Sequence, residues 1–223
     1  MASKMAGNAR VVFMADIDAD TKPGLTSYPS RPGYHLAKLS GNTVIQAPDD
    51  PPRQTHIALD NDVRTRSIAA LNQLLVDTIM IRDMYKKHHW QLSGITFYQL
   101  HLLFDAHYNQ LRLLVDEIAE RVQLLGGVSI GMPADVAAHT HVNAPPTGRE
   151  APDVQITRLV LAHRTVLTFA HEAAAQAGHD GDDRTNDIIV SSIIREHEKQ
   201  SWFISEHLVP VPLMTALNSE ADH

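Results

Sequence analysis

Apolar positions along this chain fall into long stripes at steps of three and four, the spacing of one buried helix face. Ile68, Leu71, Leu75, Ile79 and Arg82 mark one face of a first helix, expected from Asn61 or Asp62 to about Gln91 and ended by Ser93-Gly94. Phe97, Leu100, Phe104, Tyr108, Leu111, Val115, Ile118, Val122 and Leu125 set out a core-facing second helix from Thr96 to about Gly126, where Gly126-Gly127 stops it. Pro133-Ala-Asp reads as the first turn of a short helix, before Asn143-Ala-Pro-Pro-Thr-Gly breaks the chain again. A third long helix follows from about Asp153, with Ile156, Leu159, Val160, His163, Val166, Leu167 and Ala170 on its buried side. After Gly178-His-Asp-Gly181 a fourth is expected from Asp182 or Asp183 to Leu208, ahead of Pro210 and Pro212. The pattern predicts an all-α fold: a four-helix bundle whose long crossover between the second and third helices carries a short helix.

The first 60 residues break this pattern. Pro23, Pro29, Pro32, Pro48, Pro51 and Pro52 are spread among Gly, Ser and Asp, with turns at Tyr28-Pro29 and Arg31-Pro32-Gly33. The expected organisation is an extended tail over 1–60, a helical domain over 61–209 and a short tail over 210–223. Lys4, Arg10, Lys22, Arg31, Lys38 and Arg53 cancel Asp16, Asp18, Asp20, Asp49, Asp50 and Asp60, so the first tail is neutral. At 223 residues the chain can build one substantial core. It has no cysteine, which excludes disulfides, thiol catalysis and cysteine metal sites and makes a reducing cytoplasm the default expectation. Val11-Val12-Phe13-Met14 is too short for a signal segment, and no apolar run reaches the ~18 residues of a membrane span. A formal charge of −7 argues against non-specific attraction to nucleic acid or anionic lipid. Fourteen histidines suit metal handling.

Five metal-ligand types stand out: His89, His101, Asp105, Asp116 and Glu120. With 100° and 1.5 Å per residue, Asp105, Asp116 and Glu120 lie roughly 40°, 60° and 100° around the second helix from His101, on one stripe. Along the axis they form two i,i+4 pairs, His101/Asp105 and Asp116/Glu120. Asp105 and Asp116 are about 16 Å apart in rise, too far for ligand bonds of about 2.0–2.2 Å to close around one ion. A second copy running antiparallel across a two-fold axis would set one chain's His101/Asp105 against the other's Asp116/Glu120. The alternative on residue pattern alone is that these groups are simply the solvated face of a core helix.

Residues 86–127, KKHHWQLSGITFYQLHLLFDAHYNQLRLLVDEIAERVQLLGG, closely resemble the signature of the Dps miniferritins: Lys-x-x-His-Trp, a Gly-containing turn, Phe-x-x-Leu-His-x-x-Phe-Asp, Asp-x-x-Ala-Glu-Arg and a Leu-Gly-Gly end. At lower density the resemblance spans roughly 60–208. It implies a ferritin-like four-helix bundle, assembled from two-fold dimers into a hollow dodecamer, that oxidises Fe(II) with H2O2 or O2 and stores Fe(III). His89, His101, Asp105, Asp116 and Glu120 match the five ferroxidase positions, with two irons per intersubunit centre. The Glu-x-x-His motifs of ordinary ferritin-type centres inside one bundle are absent from these helices.

His88 is the alternative ligand if the register slips. Trp90 reads as an interface aromatic with its indole N–H satisfied, and the resemblance adds an oxidisable ring that takes stray radical equivalents. Asp180, Asp182, Asp183 and Asp187 suit a helix N-terminus; the resemblance places Asp187, with Asp183, at a three-fold pore for iron entry. His163, His171, His197 and His207 are expected at helix surfaces rather than as ligands, and His35 with His56 could form an accessory site in the tail. The competing function is a nucleoid protein that coats DNA. DNA binding needs Lys or Arg against phosphate, and the neutral first tail and acidic Asn218-Ser-Glu-Ala-Asp-His end disfavour it. The expected location is the cytoplasm, with association to the nucleoid as its variant.

Overall fold

The computed structural model describes residues 44–210, and among these every regular element is helical. The long helices are α1 (Asn61–Gln91), α2 (Phe97–Leu124) and α4 (Pro152–His179), with the short α3 (Pro133–His139) in the crossover. The fourth long helix is composite: α5 (Asp183–Ile188), a π-helical segment (Ile189–Ile194), then α6 (Arg195–Ser205) and a closing 3-10 turn over Glu206–Leu208. No described helix is long and apolar enough to cross a membrane. His35, most of residues 1–60 and the acidic end lie outside the described residues.

Side chains of the predicted stripes meet in one core, in which Leu71, Tyr85, Leu100, Phe104, Leu111, Ile118, Leu159, Val166, Ile189 and Ile204 are essentially fully buried. Phe97 does not join it. At the first turn of α2 it stays exposed and tilts against the His101 ring at 5.0 Å. The stripe runs one turn past the point where α1 still covers α2.

Helix ends are closed by backbone geometry. Gly126, at φ 86°, donates its N–H to Gln123 O and Gly127 donates to Val122 O, the paired bonds of a left-handed C-terminal cap. A side chain at Gly126 would run into the carbonyl of Arg53, because residues 46–55 cross here. Arg53 N–H and the Gln46 amide both donate to Gly126 O, and the Arg64 guanidinium donates to Arg53 O and Leu125 O. The later part of the expected tail is thus stapled to the end of α2. Buried Asp77 on α1 likewise pins the crossover, accepting from Thr140 Oγ1 and His141 N.

The α4–α5 junction carries the heaviest polar load. Gly181 (φ 75°) and Asp182 cap α4, with Asp182 N–H reaching Ala177 O, and the Asp182 side chain at once caps α5 by accepting from Thr185 N–H. It also accepts from Ser67 on α1 and from Thr185 Oγ1, and pairs with Arg121 of α2 at 2.6 Å, both partners being nearly fully buried. Burial alone would raise the Asp182 carboxyl. The hydrogen bonds from Thr185 and Ser67 and the Arg121 charge outweigh it and hold it below the usual range.

Arg121→Met leaves that carboxylate buried without its cation and is expected to cost about 3–5 kcal/mol in chemical denaturation at neutral pH. Because the folded pKa is depressed, the stabilisation is present above the unfolded value of about 3.9 and is lost as pH falls through the folded value. The gap between wild type and variant should therefore narrow in acid. A gap that stays constant with pH would assign the loss to packing.

Candidate metal centre

The turn Leu92–Thr96 lays the last turn of α1 against the first turns of α2. His89 Nδ1 lies 2.8 Å from His101 O, His101 Nδ1 lies 3.1 Å from His89 O, and the two rings stack with centroids 3.6 Å apart. Carbonyl oxygens only accept, so both imidazoles carry their proton on Nδ1. Each Nε2 lone pair is left without a partner among the described residues, the form in which imidazole binds a metal. His89, not His88, makes this exchange. His88 is fully buried, both its ring nitrogens lack hydrogen bonds, and burial, then the Lys87 charge, lowers its pKa to about 4.

One turn along α2 the Asp105 carboxylate pairs with Lys86, which also sits 5.0 Å from the Tyr108 ring centre. The hydrogen bond from Lys86, then its charge, hold the Asp105 carboxyl below the ordinary range, with smaller help from His89 and His101. Asn109 donates to the Asp105 carbonyl at 2.9 Å. Asp116 and Glu120 lie further along the same stripe, exposed, and neither makes a hydrogen bond or ion pair within the described chain. Among the described residues no three His, Asp or Glu side chains gather closely enough to hold a metal ion. A single chain therefore brings together His89 and His101 with Asp105 beside them, and leaves Asp116 and Glu120 as a separate pair.

The surroundings of the stripe are apolar and uncovered. Trp90 is 69% exposed, its indole N–H meets no acceptor among the described residues, and Ile95, Tyr98, Leu102 and Leu113 are exposed as well. Laid out at 100° per residue on α2, Tyr98 and Leu102 fall within the angular range from His101 to Glu120, and Leu113 lies about 20° beyond Glu120. Asp183 and Asp187 stand exposed on α5, where Asp187 pairs with Arg184 and accepts from Ser191 Oγ at 2.9 Å. Asp180 pairs with Arg66, and Asp182 is the buried cap described above.

Of the four histidines expected at helix surfaces, His163 instead follows its place on the buried stripe of α4, and His197 departs from expectation. His171 and His207 are exposed, but His163 and His197 are completely buried in the bundle interior. Tyr85 Oη lies 2.7 Å from His163 Nε2, His163 Nδ1 lies 2.9 Å from His197 Nδ1, and His197 Nε2 lies 3.3 Å from Thr78 Oγ1. His163 lies on the buried stripe of α4, and for His197 the physical reason is the π segment. Each i→i+5 turn takes up about one extra residue, so Thr185, Ile189, Ile193 and His197, four apart, all stay on the core side. On a straight α-helix three successive steps of four would drift about 120° away. That run of fours was the available signal.

A ferritin-like domain model matches residues 68–214. The chain therefore belongs to the ferritin-like family. Within that family it belongs to the Dps branch. DpsC from Streptomyces coelicolor is similar at 47% identity and a TM-score of 0.75, over 76% of this chain and 98% of that one. The DNA protection during starvation protein of Agrobacterium fabrum is 30% identical over 67% of this chain and 92% of its own length. The Dps protein of Vibrio cholerae O1, described as a member of a broad superfamily of ferritin-like diiron-carboxylate proteins, aligns with a TM-score of 0.66 at 25% identity, covering 72% of this chain and all of that one.

Proposed function

We propose that this protein is a ferroxidase of the Dps type: it oxidises Fe(II), with H2O2 or O2, at centres shared by two antiparallel copies, and stores the Fe(III) in a hollow dodecamer. One observation carries the reading. The stacked His89/His101 pair presents two bare Nε2 atoms beside Asp105, while its complement, Asp116/Glu120, waits unpartnered about 16 Å along the same helix. The exposed Tyr98, Leu102 and Leu113 supply apolar surface for a second copy around that stripe.

In this arrangement His101 and Asp105 of one chain and Glu120 of the other hold the tighter Fe(II). Glu120 bridges to a second, weaker ion, with His89 and Asp116 assisting from opposite chains. Imidazole with carboxylate oxygens and open positions suits Fe(II) that must meet an oxidant. Two Fe(II) side by side deliver two electrons to one H2O2, which with two protons leaves as two waters, so no hydroxyl radical is released. Trp90 stands beside the site as an oxidisable ring. Asp183 and Asp187 supply the negative field that draws Fe(II) inward, tempered by Arg184 at Asp187.

The second reading, coating of DNA, is favoured by the names of relatives: DNA protection during starvation protein and nutrient stress-induced DNA-binding protein. Charge opposes it here. Twelve copies at −7 with a neutral first tail offer little to displace phosphate counterions.

Mixing of half-site variants tests the two-chain centre. His101→Ala/Asp105→Ala chains and Asp116→Ala/Glu120→Ala chains should each oxidise iron poorly alone. Co-assembled, they should regain activity, since each heterodimer holds one intact centre and one doubly damaged one. Mixtures as inactive as their parents would rule out the antiparallel geometry.

For entry, Asp187→Asn, alone or with Asp183→Asn, should slow iron uptake while leaving oxidation at the centre possible, and the effect should shrink at high ionic strength. Uptake unchanged at low salt would leave these acids with helix capping alone.

DNA should be shielded from Fe(II)/H2O2 damage in solution without being retarded on a gel at low salt. His101→Ala/Glu120→Ala should abolish the shielding, whereas deletion of residues 1–43, which spares the stapled segment, should not. Protection by the ligand variant, or large DNA complexes near neutral pH, would make coating the better account.

A further inference from the structure

The interior of the bundle holds a continuous hydrogen-bonded chain across three helices: Tyr85 and Thr78 from α1, His163 from α4 and His197 from α6, all completely buried. Its protons can run in one of two orders. Burial keeps both imidazoles neutral, lowering His163 well below its ordinary value and His197 to about 3, so each carries one N–H. If Thr78 began the chain as donor, His163 Nε2–H would point at Tyr85 Oη. The phenol proton would then have no acceptor among the described residues. In the opposite order Tyr85 O–H donates to His163 Nε2, His163 Nδ1–H to His197 Nδ1, and His197 Nε2–H to Thr78 Oγ1. Each order leaves one hydroxyl proton without an acceptor among the described residues, that of Tyr85 or that of Thr78; the phenol is much the stronger acid and so the better donor at 2.7 Å, which favours the order headed by Tyr85.

From this geometry we infer that Tyr85 is an internal electron donor, with His163 and His197 as the relay that removes its proton when a one-electron oxidant forms at the iron site. Tyr85 is one helical turn before His89, about 6 Å of rise. Its ring makes edge contacts with Phe104 at 5.5 Å and His107 at 5.1 Å, which stand one residue before and two residues after Asp105 in α2. An oxidised phenol is a far stronger acid than an imidazolium, and the hydrogen-bond partner of the fully buried Tyr85 hydroxyl is His163 Nε2. His163 takes it at Nε2 and passes its own Nδ1 proton to His197 Nδ1. Tyr85 is left as the neutral radical, His163 as the other neutral tautomer and His197 as the cation. Half-buried Glu196, next to His197 in sequence, is close enough for its charge to act on Tyr85.

The oxidant and the need for it rest on the iron oxidation proposed above. When H2O2 meets a single Fe(II), it yields Fe(III), hydroxide and hydroxyl radical. One electron from Tyr85 turns that radical into a second hydroxide, and the proton stays on His197. A later Fe(II) returns the electron to Tyr85, and the proton runs back along the chain. A network present only to fix helix register would be served as well by a phenol that is never oxidised, so the test must see the radical.

Full-length protein given one Fe(II) per two-chain centre and then H2O2, frozen within milliseconds, should show a tyrosyl radical by electron paramagnetic resonance. The signal should be lost in Tyr85→Phe and retained in Trp90→Phe. Its coupling to one exchangeable proton should disappear in D2O-exchanged wild type and be missing in His163→Phe. The D2O arm decides alone if that variant does not fold. Metal-free protein oxidised by azide radicals from pulse radiolysis provides the arm independent of iron. A Tyr85 radical there, with no iron oxidation at all, would sustain the relay and sink the ferroxidase reading. The relay is overturned if iron is oxidised while the tyrosyl signal is absent, or if the signal survives Tyr85→Phe. Loss of the radical under both oxidants, or a radical with no exchangeable-proton coupling, overturns it as well.

Discussion

Arg121 and Asp182 meet where the end of α2, the end of α4, the start of α5 and the first turns of α1 converge. A guanidinium and a carboxylate withdrawn from water must have their remaining hydrogen-bonding sites filled, or the pair costs more than it returns. Thr185 and Ser67 fill them. This sets the register of the long helices against each other, and every later placement is counted from it. Back along α2 come Glu120, Asp116, Asp105 and His101. Forward from Asp182 come the π segment and His197.

Much of this was legible in the residues, because the fold announces its helix ends. Asn61–Gln91 is the span read from the stripe of Ile68, Leu71, Leu75 and Ile79 and the Ser93-Gly94 stop, and Gly126 and Gly181 hold the left-handed positions that close α2 and α4. The separation of the ligand stripe into two pairs was legible too, since it follows from helical rise alone. What escaped depended on assuming one period throughout. A strict 3.6-residue count sends His197 to the surface, and only the inserted π turns return it to the core. The His89/His101 exchange escaped for a different reason. It is made by two carbonyls, and a backbone acceptor leaves no mark in the sequence.

The two groups of histidines show how environment divides one residue type into two kinds of chemistry. At the α1–α2 turn, ring nitrogens are tied down on one side and left bare on the other, beside an Asp105 carboxyl that Lys86 holds below the ordinary range. In the interior, charge is excluded, and the rings are linked to hydroxyl groups in neutral form. The same imidazole offers a bare nitrogen in the first place and a hydrogen-bonded link between hydroxyl groups in the second.

Lys86 on Asp105 bears on how the proposed two-chain centre would behave. Two copies closing on one another would crowd facing acids into each half of the interface. An ammonium seated on Asp105 would cancel part of that repulsion, so the halves could join before any iron arrived. An arriving divalent ion would then have to displace a tethered monovalent charge. Weakly held monovalent cations would gain little from the exchange, so the ammonium would also sort ions by their charge.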